Sequence, residues 1–139
     1  PNTTRLFPRV KETLMRMHAD GTILTIASGK SRRVLLQMMR DFDLHALVRA
    51  IVCDDDVDHK KPAPDMALRA LSLTGTRPEE ALVVGDTTFD IEMGRSAGCK
   101  TCGVTFGNHS RSQLQAAGAD FLIDDFAQLR EIVLARRES

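Results

Sequence analysis

Two carboxylates four residues apart, Asp86 and Asp90, are the side chains of this sequence best placed to do chemistry. They follow an apolar run, Ala81, Leu82, Val83 and Val84, closed by Gly85, which reads as a buried strand and its end. Asp86 then falls where the strand finishes, and Asp90 where a helical pattern begins. The i, i+4 spacing predicts both carboxylates on one side of a first helical turn. Hard oxygen donors at the carboxyl end of a strand are what Mg²⁺ requires, above all when a phosphate completes its shell. The same residues support a structural role, because Thr87-x-x-Asp90 is also a capping box and aspartate is favoured at a helix N-terminus.

The elements that must position these residues follow from hydrophobic periodicity. Val10, Leu14 and Met17 predict a helix over residues 9–20, stopped at Gly21. The β-branched, apolar residues 22–27 predict a buried strand ending in Ser28-Gly29-Lys30, with Ser31 capping a helix that carries Val34, Leu35, Met38, Met39 and Phe42 on one face. Residues 50–53 form a second strand, and Pro64 opens a helix that Gly75 closes. After the strand at 81–84 comes a helix rich in small residues (Gly94, Ser96, Ala97), suited to close packing on a sheet. Strands at 100–105 and 120–123, a short helix at 113–117 and a last helix from residue 125, with Phe126, Leu129 and Val133 inward, complete the chain. Strands that are apolar throughout, alternating with helices, predict an α/β fold: a Rossmann-like parallel sheet covered by helices on both faces, as one domain over residues 1–139. In such folds ligands bind beyond the carboxyl ends of strands. Ser28, the run Asp54-Asp55-Asp56 and Asp86 all fall at such ends, and Lys61 lies on a loop within reach of them.

Composition narrows the function classes. Nineteen basic residues balance nineteen acidic ones, which argues against the basic face of a nucleic-acid binder. With no Trp or Tyr and six Phe, an aromatic platform for bases is not expected either. No apolar run reaches membrane-spanning length and no signal peptide opens the chain, so no membrane association is expected. Three Cys without a disulfide-dense pattern fit a reducing compartment, and the expected location is cytoplasmic.

Ser28 after its strand, Lys61 within KKPAPD, and Asp86 with Asp90 within GDTTFD occur in an order and spacing that resembles the haloacid dehalogenase superfamily of phosphohydrolases. The stretches LFPRVKETL, DDDVDHKKPAPD, RPEEALVVGDTTFDIEMGRSAG and ADFLIDDFAQL are similar to its phosphoglycolate phosphatase-like branch, so the resemblance covers nearly the whole chain. It implies Mg²⁺-dependent hydrolysis of a small phosphorylated metabolite through an aspartyl-phosphate. It also implies roles: Ser28 and Gly29 at the phosphate oxygens, Lys61 neutralising charge, Asp86 and Asp90 anchoring Mg²⁺ directly or through water. A pyrophosphatase or a phosphomutase stays open within the superfamily, and outside it a non-catalytic phosphate-binding or regulatory module.

The sequence departs from the superfamily pattern in one respect. The nucleophilic Asp belongs to a D-x-D-x-T/V motif on a first strand that precedes Ser28, followed by a cap domain, and nothing upstream of Ser28 matches it. The chain opens on Pro1 and reads as the later portion of a longer protein. In the superfamily the absent strand lies between the equivalents of residues 22–27 and 81–84. The expectations are therefore a chain without phosphatase turnover by itself, and a sheet completed by a further segment or a second chain, or closed up by rearrangement. Cys53-Asp54-Asp55-Asp56-Val57 imitates the nucleophile motif literally but stands after Ser28, and is taken as a loop flanking the site. Cys99 and Cys102, in a strand, should face opposite ways and bind no zinc. Of the histidines, His59 beside Lys61 is the one expected near the pocket.

Overall fold

The structure, a computed structural model, describes residues 9–137; the loose entry segment expected over residues 1–7 lies outside them. The order is α1 (Val10–Ala19), β1 (Thr25–Ser28), α2 (Arg32–Asp41), β2 (Ala50–Cys53), α3 (Asp65–Thr74), β3 (Leu82–Gly85), α4 (Thr88–Ser96), β4 (Lys100–Val104), α5 (Arg111–Ala116), β5 (Phe121–Ile123) and α6 (Gln128–Arg137). Every expected element is present. Most boundaries shift by one or two residues, and two starts shift further for identifiable reasons. The first strand starts at Thr25 rather than residue 22, because Thr22 N–H still donates to Met17 O as the chain leaves α1. The last helix starts at Gln128 rather than residue 125: the Gln128 side chain accepts from the N–H groups of Asp124 and Asp125, which holds them in the turn before it.

Local signals set the helix ends. Ser31 Oγ accepts from Val34 N–H at the start of α2, and Gly75 ends α3 in the left-handed region at φ 65°. The predicted face of α2 is narrower than its sequence suggests: Leu35 and Met39 are buried, whereas Val34 is exposed.

Among the described residues all strand pairs are parallel, yet the strands form two sheets. One contains β1 and β2, with Thr25 opposite Ala50 and Ser28 opposite Cys53; the other has the order β3-β4-β5, with Leu82 opposite Lys100 and Gly85 opposite Gly103. No strand ladder joins β1 to β3, and the sheet has not closed up by rearrangement. Both strands flanking this seam are half-buried along their whole length, whereas β4 is buried from its second residue onward. A strand with a free edge keeps water access that a doubly paired strand loses.

Helices and side chains tie the sheets together on each face. One cluster joins Val52 of β2 to Met66 and Ala67 of α3 and to Met93 and Ala97 of α4, with Ala27 and Val83 packed against it. The other joins Met17 of α1, Cys102 and Val104 of β4, Ile123 of β5 and Leu129 of α6, with Leu82 and Val84 packed against it. Val83 and its neighbours fall in different clusters because strand side chains alternate. Cys99, just before β4, belongs to the first cluster and Cys102 to the second, so they lie on opposite faces as expected; both are free and buried. The close packing expected of α4 is made at Gly94, where an added Cβ would stand 2.6 Å from Thr101 Cγ2 and 2.9 Å from Val83 Cβ. Among the described residues, no helix is long and apolar enough to cross a membrane.

Candidate functional site

The carboxyl ends of β1 and β3 flank the seam, and one side chain bridges them. Lys61 reaches in from the loop before α3, and its Nζ donates to Ala27 O of β1 at 3.0 Å and to Asp90 Oδ1 of α4 at 2.7 Å. The pair is well shielded, with side-chain exposures of 21% for Lys61 and 11% for Asp90. At that distance and burial the interaction is a charge-assisted hydrogen bond rather than a screened surface pair.

Asp90 holds Lys61 with one oxygen and its own helix with the other. Asp90 Oδ2 accepts from Thr87 N–H at 3.2 Å and from Thr87 Oγ1 at 2.8 Å, while Asp90 N–H donates to Thr87 Oγ1. The capping box seen in the sequence is therefore real, and so is the link to Lys61. The geometry by which Asp90 approaches Asp86 is not the expected one. Because α4 begins at Thr88, Asp86 lies outside the helix, and no helical face carries both carboxylates. Instead the Asp90 side chain folds back over Gly85, the residue before Asp86. A Cβ on Gly85 would collide with Asp90 Cβ and Cγ, so glycine is required by this approach.

Asp86 is held from another direction. Asn108, in the loop after β4, donates to Asp86 Oδ2 through both its backbone N–H and its Nδ2, each at 3.0 Å. His109 N–H donates to Asp86 O at 3.0 Å, and His109 Nδ1 accepts from Thr88 N–H at 2.9 Å, at the N-terminus of α4. Gly107 passes so close that a Cβ there would overlap Asp86. Sequence reasoning missed Gly107, Asn108 and His109. The available signal was their position beyond the carboxyl end of β4, where the rule for ligand sites also points.

Ser28 ends β1, one residue after the carbonyl that Lys61 binds, and Ser28 Oγ accepts from Lys30 N–H at 3.1 Å. Gly29 follows, with Asp54 beside it: a Cβ on Gly29 would lie 3.7 Å from Asp54 Oδ1. Among the described residues no hydrogen bond joins Ser28 to Lys61, Asp86 or Asp90, so these groups are gathered at one end of the sheets without closing on one another.

The acidic run after β2 flanks the site and serves structure. Asp54 pairs with Lys60 at 3.4 Å. Asp56 accepts from Cys53 N–H at 2.8 Å and from Arg32 Nη2 at 2.5 Å, and the Arg32 hydrogen bond holds its carboxyl below the usual range. His59 is not where it was expected. Its Nδ1 pairs with Asp65 at 3.1 Å with the side chain 75% exposed, and the histidine bonded to the backbone beside the carboxylates is His109. A ring two residues before Lys61 in sequence is turned outward because Asp65, at the start of α3, captures it.

The donor set can be tested against a divalent cation. Asp86 Oδ2 is engaged, but Asp86 Oδ1 accepts no hydrogen bond from the described residues, and the cradle of Gly107 fixes where the carboxylate sits. That is a hard oxygen presented in a defined place, which fits Mg²⁺. Both Asp90 oxygens already have donors, so Asp90 fits a role through water or through Lys61. Among the described residues no three acidic, His or Cys side chains gather as a ligand cluster. Asp86 is thus an anchor for a cation rather than a complete shell.

Comparison with known proteins points to one family. The sequence profile of the haloacid dehalogenase-like hydrolases matches residues 2–104. A phosphoglycolate phosphatase of Salmonella paratyphi A is 32% identical over 126 residues, covering 91% of this chain and 50% of the relative. Pyrophosphatase PpaX of Bacillus cereus is 35% identical over 127 residues, covering 91% of this chain and 59% of the relative. The chain therefore spans little more than half the length of these curated relatives. A crystal structure described as a predicted phosphoglycolate phosphatase from Haemophilus somnus superposes with a TM-score of 0.87 at 30% identity, covering 94% of this chain and 58% of that one.

Proposed function

Because this chain belongs to the haloacid dehalogenase-like hydrolase family, we propose that its site serves Mg²⁺-dependent hydrolysis of a small phosphorylated metabolite. The observation that carries the reading is the Lys61 bridge, which joins the strand end bearing Ser28 to the helix start bearing Asp90. Two of the ammonium N–H groups of Lys61 are used there, and a further one remains for a phosphate oxygen. Ser28 Oγ accepts from Lys30 N–H, which leaves its hydroxyl proton to donate to a second phosphate oxygen. Gly29 leaves room for close approach of the phosphate to the backbone. Phosphoryl transfer asks for positioned donors and charge neutralisation, and these groups supply both. Mg²⁺, when bound, would neutralise the charge that develops on the transferring group. Asp86 would hold it, and Asp90 would fix Lys61.

The covalent step needs a nucleophile that none of these residues provides. In this reading an Asp reaches the site on a strand seated between β1 and β3, from a further segment or a second chain. Support comes from the edges on each side of the seam, half-buried and without a strand partner among the described residues. The names of the relatives favour two substrates, phosphoglycolate and pyrophosphate, both small and multiply anionic.

The test is phosphate release from phosphoglycolate, pyrophosphate and an aryl phosphate, with and without Mg²⁺. It is run on this chain and on a longer protein carrying an upstream D-x-D strand. Expected are turnover by the longer protein alone and losses of about 10²–10³-fold for Lys61→Met and Asp86→Asn, the scale of removing one charge-stabilising group. Turnover by a mass-verified chain of 139 residues that vanishes in Asp54→Asn or Asp56→Asn would place the nucleophile after β2 and overturn this reading. Phosphate binding without turnover in the longer protein would leave a binding module instead.

A further inference from the structure

The loop between β4 and α5 makes contacts that hydrolysis as described above does not use. Asn108 places two donors on a single oxygen of Asp86, its backbone N–H and its side-chain amide, while the other oxygen receives none from the described residues. Gly107 closes over the carboxylate, and His109 grips both Asp86 O and Thr88 N–H, so the loop is tied to the start of α4. An aspartate held in this way has one oxygen to offer a cation, in one direction.

We infer that Asn108 is a positioning residue that makes Asp86 a one-oxygen ligand and thereby selects Mg²⁺ over Ca²⁺. The inference rests on the proposal that Asp86 anchors a divalent cation. Mg²⁺ is small, demands near-octahedral geometry and accepts one oxygen from each carboxylate, whereas Ca²⁺ tolerates variable geometry and takes carboxylates through both oxygens. With Asp86 Oδ2 occupied, the two-oxygen mode that suits Ca²⁺ is closed, and the orientation that suits Mg²⁺ is fixed. Asn108 touches neither phosphate nor cation in this scheme; it acts through Asp86. Partners behind a metal ligand orient it and tune its affinity in just this fashion.

Asn108 is exposed, so its truncation leaves the packed core untouched. The experiment uses Mn²⁺ as a paramagnetic probe of the full chain, displaced by Mg²⁺ and by Ca²⁺ in separate titrations of water-proton relaxation, with circular dichroism as a check on folding. In Asn108→Ala the Mg²⁺ affinity is expected to fall about tenfold while that for Ca²⁺ changes little, so that the Mg²⁺/Ca²⁺ preference narrows by about the same factor. Gly107→Ala, which pushes on Asp86 with the amide still present, should weaken both cations together. A loss of equal size for both cations in Asn108→Ala would mean that Asn108 only supports the loop, and the inference would be wrong. An unchanged preference would overturn it too, while leaving the cation site standing. If Mn²⁺ binds the parent chain no better than Asp86→Asn, the cation site itself is wrong and the inference falls with it.

Discussion

Replacing Lys61 by Met tests how the two sheets are joined. Met keeps most of the aliphatic stem and removes the ammonium, so the packing along the loop survives while two hydrogen bonds are lost. One is the 2.7 Å bond to Asp90 Oδ1, between side chains only 21% and 11% exposed. The other is the 3.0 Å bond to Ala27 O on the open edge of β1. A hydrogen bond to a charged partner contributes about 1.5–3 kcal/mol, and an acceptor left unsatisfied costs about 1–3 kcal/mol. Partial water access to both groups puts the expected loss at the lower end, about 2–3 kcal/mol in all. With a urea m-value of about 2 kcal/mol/M, the unfolding midpoint should fall by roughly 1 M. Asp90→Asn removes the charge but leaves an oxygen for Thr87, and should cost less. In the double variant the losses should fall short of additive by about 1 kcal/mol or more, because each change removes the same pair. The assay is equilibrium urea unfolding at neutral pH, followed by circular dichroism. A midpoint for Lys61→Met equal to that of the parent, or strict additivity in the cycle, would show that the bridge contributes nothing and that the sheets are held by their side-chain clusters alone.

Other outcomes follow from the same coordinates. Gly94→Ala gains up to about 1 kcal/mol of helix propensity but drives a methyl into Thr101 and Val83, costing about 1–3 kcal/mol, so a lower melting temperature is expected; a rise would refute the close approach. Burial pushes the Cys102 thiol up to about 12 and raises Cys53 and Cys99 in the same direction, so an aromatic disulfide reagent at neutral pH should label none of them until denaturant is added. Rapid native labelling would contradict this burial. The hydrogen bond from Arg130 lowers the Asp20 carboxyl below its ordinary value. A lowered folded pKa means stability that is complete above the ordinary carboxylate range and lost as pH falls through and below about 4. Arg130→Gln should therefore flatten the fall in stability below that pH, and an unchanged acid profile would exclude the pair as a contributor.

Much of the fold could be read directly from the residues. Apolar strands such as Ala50–Cys53 alternating with amphipathic helices leave a parallel α/β layer arrangement as the way to bury both faces. Ser31, Gly75 and the Thr87–Asp90 box act within one turn of chain, so their caps were legible from neighbours alone. So was the placing of Cys99 and Cys102 on opposite faces, since alternation is a property of the strand itself. That Ser28 and Asp86 fall at the carboxyl ends of their strands was legible for a related reason: each apolar run ends where its turn begins, and ligands in such folds bind beyond those ends.

What lay beyond the sequence is what depends on distant partners. The sequence set Asp86 and Asp90 on one helical face, but the approach is made by Asp90 folding over Gly85, and Asp86, between β3 and α4, is held by the loop that follows β4. Neither Asn108 nor His109 carries a motif, and each matters because Gly107 brings the chain against Asp86; Asn108, which grips the carboxylate, is 22 residues further along. His59 was expected at the site by adjacency, yet Asp65 turned it outward. Periodicity and capping are fixed by side chains a few positions apart, so the sequence determined them. The grip on a carboxylate is a sum over groups that meet only when the strands are in register, and that sum was decided by the tertiary structure.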